Sequence, residues 1–575
     1  MKNHELHGTL HQLLEWEYTS RKHYSNPFNA LELDVQIVSP NKESWIVPTF
    51  WKGDHSWTVR FIPKEVGLYT ITTICTDKKN DSLHHIVSTL QVSIQDNQIT
   101  PQRHSHLSIT QNKRYLEDSQ KKPFFWLADT WWMGLSKRLS FPADFKILTE
   151  DRKNKGFTVI QLVIGLFPDM NHFDKRCENE AGLPWEEEYA RINPHYFDKA
   201  DERLEYLVDS NLIPCILGAW GYYIHKMGEE KMKQHWRYII ARWGVYPVVW
   251  AIAGEGAMPY YLSTNGQRDR DRQIKSWTNI GNYIKKIDPF HHLVTIHPTD
   301  SSRTQVSDEL LLDFTMLQAG HSGYPSVENA MRLINEDNKI HPAMPTIMSE
   351  VNYEGIMHDT SAELQRLTFW TSILSGSAGF TYGANGIWQV NTKETPFGAS
   401  PHGGTWGNTP WSEAMHYLGS KHIGLAKELL EQYPWWQMQP HQEWISSQHE
   451  PYNYKAPRIA GIPSQLRIIY FYGPIHPWSE PKYYIAYLEE GVKYKAHFWD
   501  PRTAKKYPIG IISPNANNQW RVPTLPTFDD WILILEATED SHPLAMEESV
   551  EIQTYQQNIS LLKKILRKIK QKICH

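Results

Sequence analysis

Apolar residues recur with two different periods along this chain of 575 residues, and the changes of period divide it into segments. In residues 1–100, short runs place an apolar residue at every second position, as in Leu31, Leu33, Val35 and Ile37. This period is typical of strands with one buried face. Similar runs follow at 56–63, 68–75 and 89–94. We therefore predict a small β-sandwich for residues 1–100, followed by a polar linker at 95–106.

A second pattern, in which apolar runs alternate with helix-like segments, extends from residue 105 to residue 430. Between two of the runs, Phe197, Ala200, Leu204 and Leu207 fall on one face of a helix. Eight runs have the composition of strands that are buried on both faces: 123–129, 158–165, 212–218, 248–254, 293–298, 314–318, 345–350 and 378–383. These features predict an α/β fold, a TIM (β/α)8 barrel. A doubly wound sheet would carry phosphate-binding glycines after its first strand, where this sequence has none.

The carboxyl-terminal part of the chain shows two further patterns. Residues 431–537 return to short alternating strands separated by Pro, Gly and Asn, which predicts a second β-sandwich. Residues 546–575 predict a basic amphipathic helix, because six Lys or Arg residues and no acidic residue lie between Gln556 and His575, with apolar residues at helical spacing. Two roles for this tail remain open, peripheral attachment to an anionic membrane surface and docking on a protein.

Composition narrows the function classes. With 24 Trp, 29 Tyr and 19 Phe and 21% charged residues, the chain is typical of an ordered, aromatic-rich globular protein. Aromatic rings pack β-sheets, and they also bind the apolar faces of sugars. A net charge of −5 and the lack of a glycine-rich phosphate loop after a strand argue against nucleic acid as a partner.

The cysteines and the amino terminus bear on location. Cys75, Cys177, Cys215 and Cys574 are far apart and have no C-x-x-C spacing, so we expect free thiols in a reducing compartment. The first 20 residues lack the continuous apolar segment of a secretory signal. Either the protein is cytoplasmic, with the tail at the inner face of the membrane, or a signal segment has been removed.

Two glutamates, Glu255 and Glu350, follow two of the predicted barrel strands and are the main candidates for catalysis. Groups at the carboxyl ends of barrel strands face the ligand, and glycosidic bond cleavage needs two carboxylates. The alternatives are structural: backbone N–H groups of the G-E-G turn could satisfy Glu255, and an ion pair could satisfy Glu350. Glu350 is preferred to Glu354, which is four residues further into the loop.

Other polar and aromatic residues follow the predicted strands on the same rim, so we expect them to bind substrate. Any one of the tryptophans could equally be a core residue. His297, His321 and Asp129 lack the spacing of a metal site, so neither a metal nor another cofactor is expected. The expected substrate-binding residues are Asp129, Trp131, Trp132, Gln161, Trp220, Tyr222, His297, Gln318, His321, Asn352, Tyr353, Glu354, Tyr382 and Trp388.

Several segments resemble the apiosidase-like family of glycoside hydrolases. The run at 123–165 is similar to the opening of its catalytic domain, and DFTMLQAGHS, MSEVNYEG and SAGFTYGANGIWQ are similar to its sixth, seventh and eighth strand motifs. Residues 16–28 and 53–71 resemble the β-sandwich that commonly precedes such barrels. Residues 496–510 and 529–536 resemble the collagen-binding-type β-sandwich that commonly follows them.

The resemblance implies a retaining glycoside hydrolase with Glu255 as general acid/base and Glu350 as nucleophile. It also implies a plant or microbial polysaccharide or oligosaccharide as substrate, including furanosides of apiose or arabinose. Two departures stand out: the family usually has Asp after two glycines where this chain has Glu255, and related barrels have Asn where this chain has Gly254. The 2-hydroxyl contact must then come from another residue, or the substrate is not a pyranoside.

Two other functions stay open at the level of sequence. One is a non-catalytic carbohydrate-binding protein on a barrel scaffold. The other is a transglycosylase in cell-surface polysaccharide metabolism, which would use the same glutamates with a sugar hydroxyl in place of water.

Overall fold

The computed structural model describes residues 5–94, 106–358, 360–446, 451–473 and 483–539. The predicted linker lies outside these ranges except for its last residue, and the predicted tail and Cys574 lie outside them entirely. Attachment of the tail to a membrane or a protein therefore stays a prediction. The cysteines within the described ranges, Cys75, Cys177 and Cys215, are free and buried. No helix in these ranges combines the length and apolar character needed to cross a bilayer.

The first described segment, 5–94, forms two stacked β-sheets. Its elements are β1 (Glu5–Thr9), β2 (Leu14–Thr19), α1 (Pro27–Ala30), β3 (Leu33–Val38), β4 (Ser44–Pro48), β5 (Phe50–Gly53), β6 (Ser56–Phe61), β7 (Gly67–Cys75) and β8 (Val87–Ser93). The sheet β1-β8-β7-β3-β4 faces the sheet β2-β6-β5. Val35 and Ile71 of the first sheet share one core with Phe61 of the second, because side chains from the facing sides of both sheets point inward. The predicted β-sandwich is confirmed, although the sequence pattern missed β1, β2, β4 and β5.

Eight parallel strands form the barrel. A small antiparallel sheet precedes them: β9 (Ser108–Ile109), β10 (Leu116–Glu117) and β11 (Pro123–Phe124). The barrel strands are β12 (Trp126–Thr130), β13 (Val159–Val163), β14 (Ile213–Leu217), β15 (Val249–Ala251), β16 (Val294–Thr295), β17 (Thr315–Gln318), β18 (Thr346–Glu350) and β19 (Gly379–Tyr382). Each overlaps a predicted run, so the predicted TIM barrel is confirmed.

The order of the barrel strands, β16-β15-β14-β13-β12-β19-β18-β17, follows the chain around a ring. Between the first and last strands of this order, the Asp313 N–H donates to the Val294 carbonyl at 2.9 Å. The Thr295 hydroxyl donates to the Phe314 carbonyl at 2.9 Å. These bonds bring the two ends of the sheet together, so all eight carboxyl ends open on one rim.

Helices cover the outside of the barrel. They are α2 (Ala143–Asn154), α3 (Pro194–Asp209), α4 (Tyr223–Trp243), α5 (Gly266–Ile287), α6 (Tyr324–Asp337), α7 (Ala362–Leu374), α8 (Trp411–Ala414) and α9 (Leu418–Leu430). The predicted apolar face of α3, from Phe197 to Leu207, is buried against the barrel. The sequence at the start of α3 favours the amino end of a helix there, because the Asn193 side chain accepts the His195 N–H and Pro194 occupies the first turn.

The last described part of the chain is a second β domain. Its strands are β20 (Gln439–Pro440), β21 (Arg458–Ile462), β22 (Leu466–Phe471), β23 (Tyr484–Ile485), β24 (Tyr494–Trp499), β25 (Lys506–Ile512), β26 (Trp520–Arg521) and β27 (Trp531–Ala537). The sheet β20-β21-β22-β27-β24-β25 packs with the β23-β26 pair around Ile469, Phe498 and Leu533. The β-sandwich predicted for residues 431–537 is confirmed. Its predicted strand segments, 466–473, 483–491, 494–510 and 520–536, do not include β20 or β21.

Buried ion pairs join both β domains to the outer helices of the barrel. Arg60 of β6 donates to Asp201 of α3 at 2.6 Å, and Asp201 also accepts from Arg242 at 2.8 Å. Arg366 of α7 makes two bonds of 2.8 Å to Asp530. Loss of one partner of a buried pair is costly, so these contacts specify how the domains dock.

Candidate active site

A pocket of about 230 Å³ opens at the carboxyl ends of the barrel strands. Both candidate catalytic glutamates line it. Aromatic rings form most of its remaining wall, which is typical of a site that binds sugar faces. The lining residues are Trp132, Pro168, Asp169, Trp220, Glu255, Met258, Tyr261, Gln318, His321, Glu350, Tyr353, Ile356, Trp388 and Trp406.

Glu255 lies four residues beyond β15, in the tight turn Gly254-Glu255-Gly256. Its φ of 44° is in the left-handed region, which costs a non-glycine residue energy and recurs at functional sites. A Cβ at Gly254 would lie 2.3 Å from the Trp220 ring, and a Cβ at Gly256 would lie 2.4 Å from Ile296. Only glycine fits on either side, so the turn fixes the direction of the Glu255 side chain.

Glu350 is the last residue of β18 and lies opposite Gln318 of β17. The register of these two strands shifts between Leu317 and Gln318, and such shifts re-aim side chains. Glu350 Oε1 accepts from His321 Nε2 at 2.9 Å and from Gln318 Nε2 at 3.2 Å. His297 Nε2 lies 3.3 Å from Glu350 Oε2, but not in line for a hydrogen bond. One oxygen is therefore held by two donors, while the other has no hydrogen-bond partner among the described residues.

A single amide group sets the separation of the two carboxylates. Gln318 Nε2 donates to Glu255 Oε1 at 3.0 Å and to Glu350 Oε1 at 3.2 Å. These two oxygens can therefore be at most about 6.2 Å apart. If each acceptor lies along one of the two amide N–H bonds, which are about 120° apart, the separation is about 5.4 Å.

The surroundings push the pKa values of the two glutamates in opposite directions. Burial and, second, the negative charge of Glu350 raise the pKa of Glu255 to about 8. Burial alone would also raise the pKa of Glu350, but the contacts with His297 and His321 outweigh it and lower that pKa to about 2. At neutral pH, Glu255 is protonated and Glu350 is ionised.

Several buried polar atoms around the pocket have no hydrogen-bond partner among the described residues. The indole N–H groups of Trp220 and Trp388 and the side-chain carbonyl of Gln318 are examples. Buried polar groups are normally paired, so a polar ligand is the expected partner for these atoms. Sugar hydroxyls both donate and accept, which suits such a mixed set.

Comparison with known proteins gives the family. The catalytic-domain model described as apiosidase-like matches residues 110–437, more than half of the chain. The chain belongs to the apiosidase-like family. A domain of unknown function, DUF5060, matches residues 9–76 of the amino-terminal sandwich.

Solved structures share the fold of this apiosidase-like protein. A glycoside hydrolase has a TM-score of 0.61 at 22% identity over 76% of this chain and 98% of its own. A family 5 glycoside hydrolase from Bacteroides vulgatus ATCC 8482 has a TM-score of 0.63 at 20% identity over 80% of this chain and 100% of its own. A second protein of that organism, described as a candidate glycoside hydrolase, has a TM-score of 0.66 at 14% identity over 93% of this chain and 100% of its own. The comparison with curated proteins returned no match.

The structure brings about half of the expected site residues of this apiosidase-like protein together. His297 lies directly behind the pocket, between Glu350 and the Trp132 ring, which it meets edge to face at 5.2 Å. The expected residues that line the pocket are Trp132, Trp220, Glu255, Gln318, His321, Glu350, Tyr353 and Trp388.

Three expected substrate-binding residues are buried away from the pocket instead. Asp129 is fully buried and pairs with Arg152 at 2.5 Å. The Trp131 indole donates to the same carboxylate at 2.8 Å, so Trp131 is a core residue. Gln161 donates to the Ser349 carbonyl at 3.1 Å. Asp129 and Trp131 face α2 outside the strands, and Gln161 faces β18 and β19 inside the barrel. A strand-end position alone could not distinguish these directions.

Four more expected residues support the loops around the pocket rather than line it. Glu354 accepts from the Tyr382 hydroxyl at 2.6 Å and from the Gly419 N–H at 3.1 Å. Asn352 exchanges two hydrogen bonds of 2.9 Å with the Gly323 backbone. The Tyr222 hydroxyl donates to a loop carbonyl at 3.2 Å. In each case the polar atoms are already paired within the protein.

Six lining residues were not predicted: Pro168, Asp169, Met258, Tyr261, Ile356 and Trp406. Asp169 has a φ of 56° and accepts from the Ser400 hydroxyl at 2.8 Å and from the Trp406 indole at 2.9 Å. It therefore ties the loop after β13 to the loop after β19. Asp169 could have been predicted from the sequence, because it is a carboxylate in the polar loop that follows the second strand. The described residues contain no group of three His, Cys, Asp or Glu residues that could hold a metal ion.

Proposed function

We propose that this apiosidase-like protein hydrolyses a glycosidic bond with retention of configuration. The observation that carries the proposal is the Gln318 amide that contacts both glutamates, which supports a carboxylate separation of about 5.4 Å. Retaining enzymes have carboxyl groups about 5–5.5 Å apart, whereas inverting enzymes need about 6.5–9.5 Å to admit a water. The upper limit of about 6.2 Å applies to the two bridged oxygens, Oε1 of Glu255 and Oε1 of Glu350.

In this proposal Glu350 is the nucleophile. Oε1 is held by Gln318 and His321, so Oε2 is the oxygen that attacks the anomeric carbon. As the bond to Oε2 forms, the glycosidic bond breaks and its electron pair leaves with the aglycone oxygen. The product of this step is a glycosyl ester of Glu350.

Glu255 is the general acid and then the general base. Its proton passes to the leaving oxygen in the first step, which its raised pKa permits at neutral pH. Once Glu350 is esterified, its negative charge is gone and the pKa of Glu255 falls. Glu255 can then accept a proton from the water that hydrolyses the ester, which restores both carboxyl groups.

The substrate proposal is a plant or microbial polysaccharide or oligosaccharide with a furanoside as one candidate linkage. Gly254 has no side chain to bind a sugar 2-hydroxyl, and the Trp220 ring fills the space above it. The Trp220 indole N–H makes no hydrogen bond to the described residues, although it lies close enough to Glu255 to lower the pKa of that carboxyl. We assign the contact with the sugar 2-hydroxyl to the Trp220 indole N–H.

The test is a panel of aryl glycosides that includes apiofuranosides and arabinofuranosides, with NMR of the first-formed anomer. Retention of configuration supports the proposal, and inversion would contradict it. Azide should rescue Glu350→Ala to a glycosyl azide of inverted configuration, and Glu255→Ala to one of retained configuration. Tight sugar binding without turnover of any substrate would favour the carbohydrate-binding alternative.

A further inference from the structure

A second pocket lies at the opposite end of the barrel from the glutamates, where the barrel meets the carboxyl-terminal domain. It encloses about 250 Å³. Residues 373–378, which lead into β19 at its amino end, form one wall. Most residues of 435–442, together with Tyr452 and Arg458, form the other. We call it the junction pocket. Its position separates it from the site proposed for catalysis.

The charged residues described in the lining of the junction pocket are all basic. Arg114, Lys339 and Arg458 line it, and no Asp or Glu residue is among its described lining residues. The nearby Asp337 is already engaged by Arg303 at 2.8 Å and by Thr346 at 2.7 Å. The pocket therefore presents positive charge without a carboxylate partner from the described residues.

Arg458 is the most unusual of these cations. Arg458 is the first residue of β21 and is only 8% exposed. Despite this burial, its Nε has no hydrogen-bond partner among the described residues. Among the described residues, the Arg458 side chain makes one hydrogen bond, a long contact of 3.5 Å from Nη2 to the Asn453 carbonyl. A buried guanidinium normally has a carboxylate, phosphate or carbonyl partner that matches its planar fork. An anionic ligand would supply the missing partner.

Aromatic rings indicate what the anion is attached to. Trp435 and Trp436 line the pocket with their rings nearly perpendicular, 6.1 Å apart and at 88°. Tyr452 lines it as well and is held by a hydrogen bond from Asn335. Flat rings beside polar groups suit a ligand that has an apolar face and a polar edge. A sugar ring has that form, and a uronic acid adds the carboxylate.

We propose that the junction pocket binds an acidic sugar, with the uronate carboxylate on Arg458 and the ring against Trp436. This site is independent of the proposed hydrolytic function. Arg114 and Lys339 are exposed and add positive charge at the mouth, so binding weakens as salt concentration rises.

The experiment is isothermal titration of the full-length protein with methyl galacturonide and methyl glucuronide, with the neutral methyl galactoside and acetate as comparison ligands. The expected result is binding of a uronide but of neither comparison ligand at the same concentration. Arg458→Gln should weaken that binding at least about tenfold, because it removes a charge-assisted pair. Trp436→Ala should weaken it as well. Arg21→Gln, which removes an exposed arginine of the amino-terminal domain, and Glu350→Gln, which alters the other pocket, should bind like the wild type.

The proposal is overturned if the wild type binds no uronide, or if acetate or the neutral sugar binds as tightly as the uronide. It is also overturned if an Arg458→Gln protein that melts like the wild type keeps its affinity. If Arg458→Gln does not fold, Trp436→Ala and the exposed Lys339→Gln decide, because unchanged affinity in both would overturn the proposal. Loss of binding in Glu350→Gln would place the sugar in the other pocket and would likewise overturn it.

Discussion

Replacing Glu350 by Gln should lower the pKa of Glu255 by about two units. Burial is the larger cause of the raised pKa of Glu255, about 8, and the charge of Glu350 is the second. At about 5.4 Å and an effective dielectric constant of about 20, two unit charges repel by about 3 kcal/mol. That energy corresponds to about two pKa units. Glu255 in the variant should therefore titrate near pH 6 by this order-of-magnitude estimate, still above an ordinary glutamate because its burial remains.

The assay is a ¹³C NMR titration of protein labelled at the glutamate carboxyl carbons, which needs no turnover. The Glu255 signal is the one that disappears in Glu255→Gln. The matched control is Glu354→Gln, which removes another buried carboxyl that is held by Tyr382 and Gly419. This control should leave the pKa of Glu255 nearly unchanged. In the wild type, kcat/KM should fall as pH rises through about 8, because Glu255 then loses the proton that it must donate.

Two results would refute this reasoning. A shift of less than about half a unit in Glu350→Gln would mean that the two carboxylates are too far apart to interact as calculated. A Glu255 that titrates near 4.3 in the wild type would mean that neither burial nor Glu350 acts on it.

Three further predictions concern other residues. Glu350→Gln should lower kcat/KM at least about 10⁴-fold. On a dinitrophenyl glycoside, which has a good leaving group, Glu255→Gln should lower kcat/KM much less, because little proton donation is then needed. Trp220→Phe should keep the fold and raise KM by about tenfold, since it removes one N–H donor and keeps the ring; an unchanged KM would exclude a substrate contact. Asp129→Asn should lower the free energy of unfolding by about 3 kcal/mol in a denaturant titration, because it removes the fully buried carboxylate of Arg152 and leaves that guanidinium with only the carboxylate of Asp151. Normal stability with weak substrate binding would contradict the core role.

The barrel could be predicted from the sequence because its strands are continuous apolar runs. A run such as 345–350 is buried on both faces, so its composition alone marks it. The missed strands of the β domains are different: β2 has only one buried residue, Trp16, and β20 has two exposed residues. Strands of this kind form because a neighbour offers backbone hydrogen bonds, and their own residues carry little signal.

The candidate site was only partly predictable for a related physical reason. A strand-end position identifies the rim but not the direction of each side chain. Glu255 and Asp129 both lie at the ends of apolar runs, yet Glu255 faces the pocket and Asp129 faces outward and pairs with Arg152. The partner of Asp129 lies 23 residues further along the chain, on α2. Trp406 was missed because its loop reaches the pocket through contacts with Asp169, which only the folded chain brings near.

In the proposed mechanism, the turn that holds Glu255 couples acid catalysis to substrate recognition. Gly254 is required because the Trp220 ring occupies the place where a side chain would extend. The same ring lines the pocket and carries an indole N–H that has no partner among the described residues. A larger residue at position 254 would have to displace Trp220, and so would alter both the direction of Glu255 and the proposed sugar contact. Related barrels have Asn at this position. The glycine here is better explained by the space that the Trp220 ring needs than by the loss of a binding group.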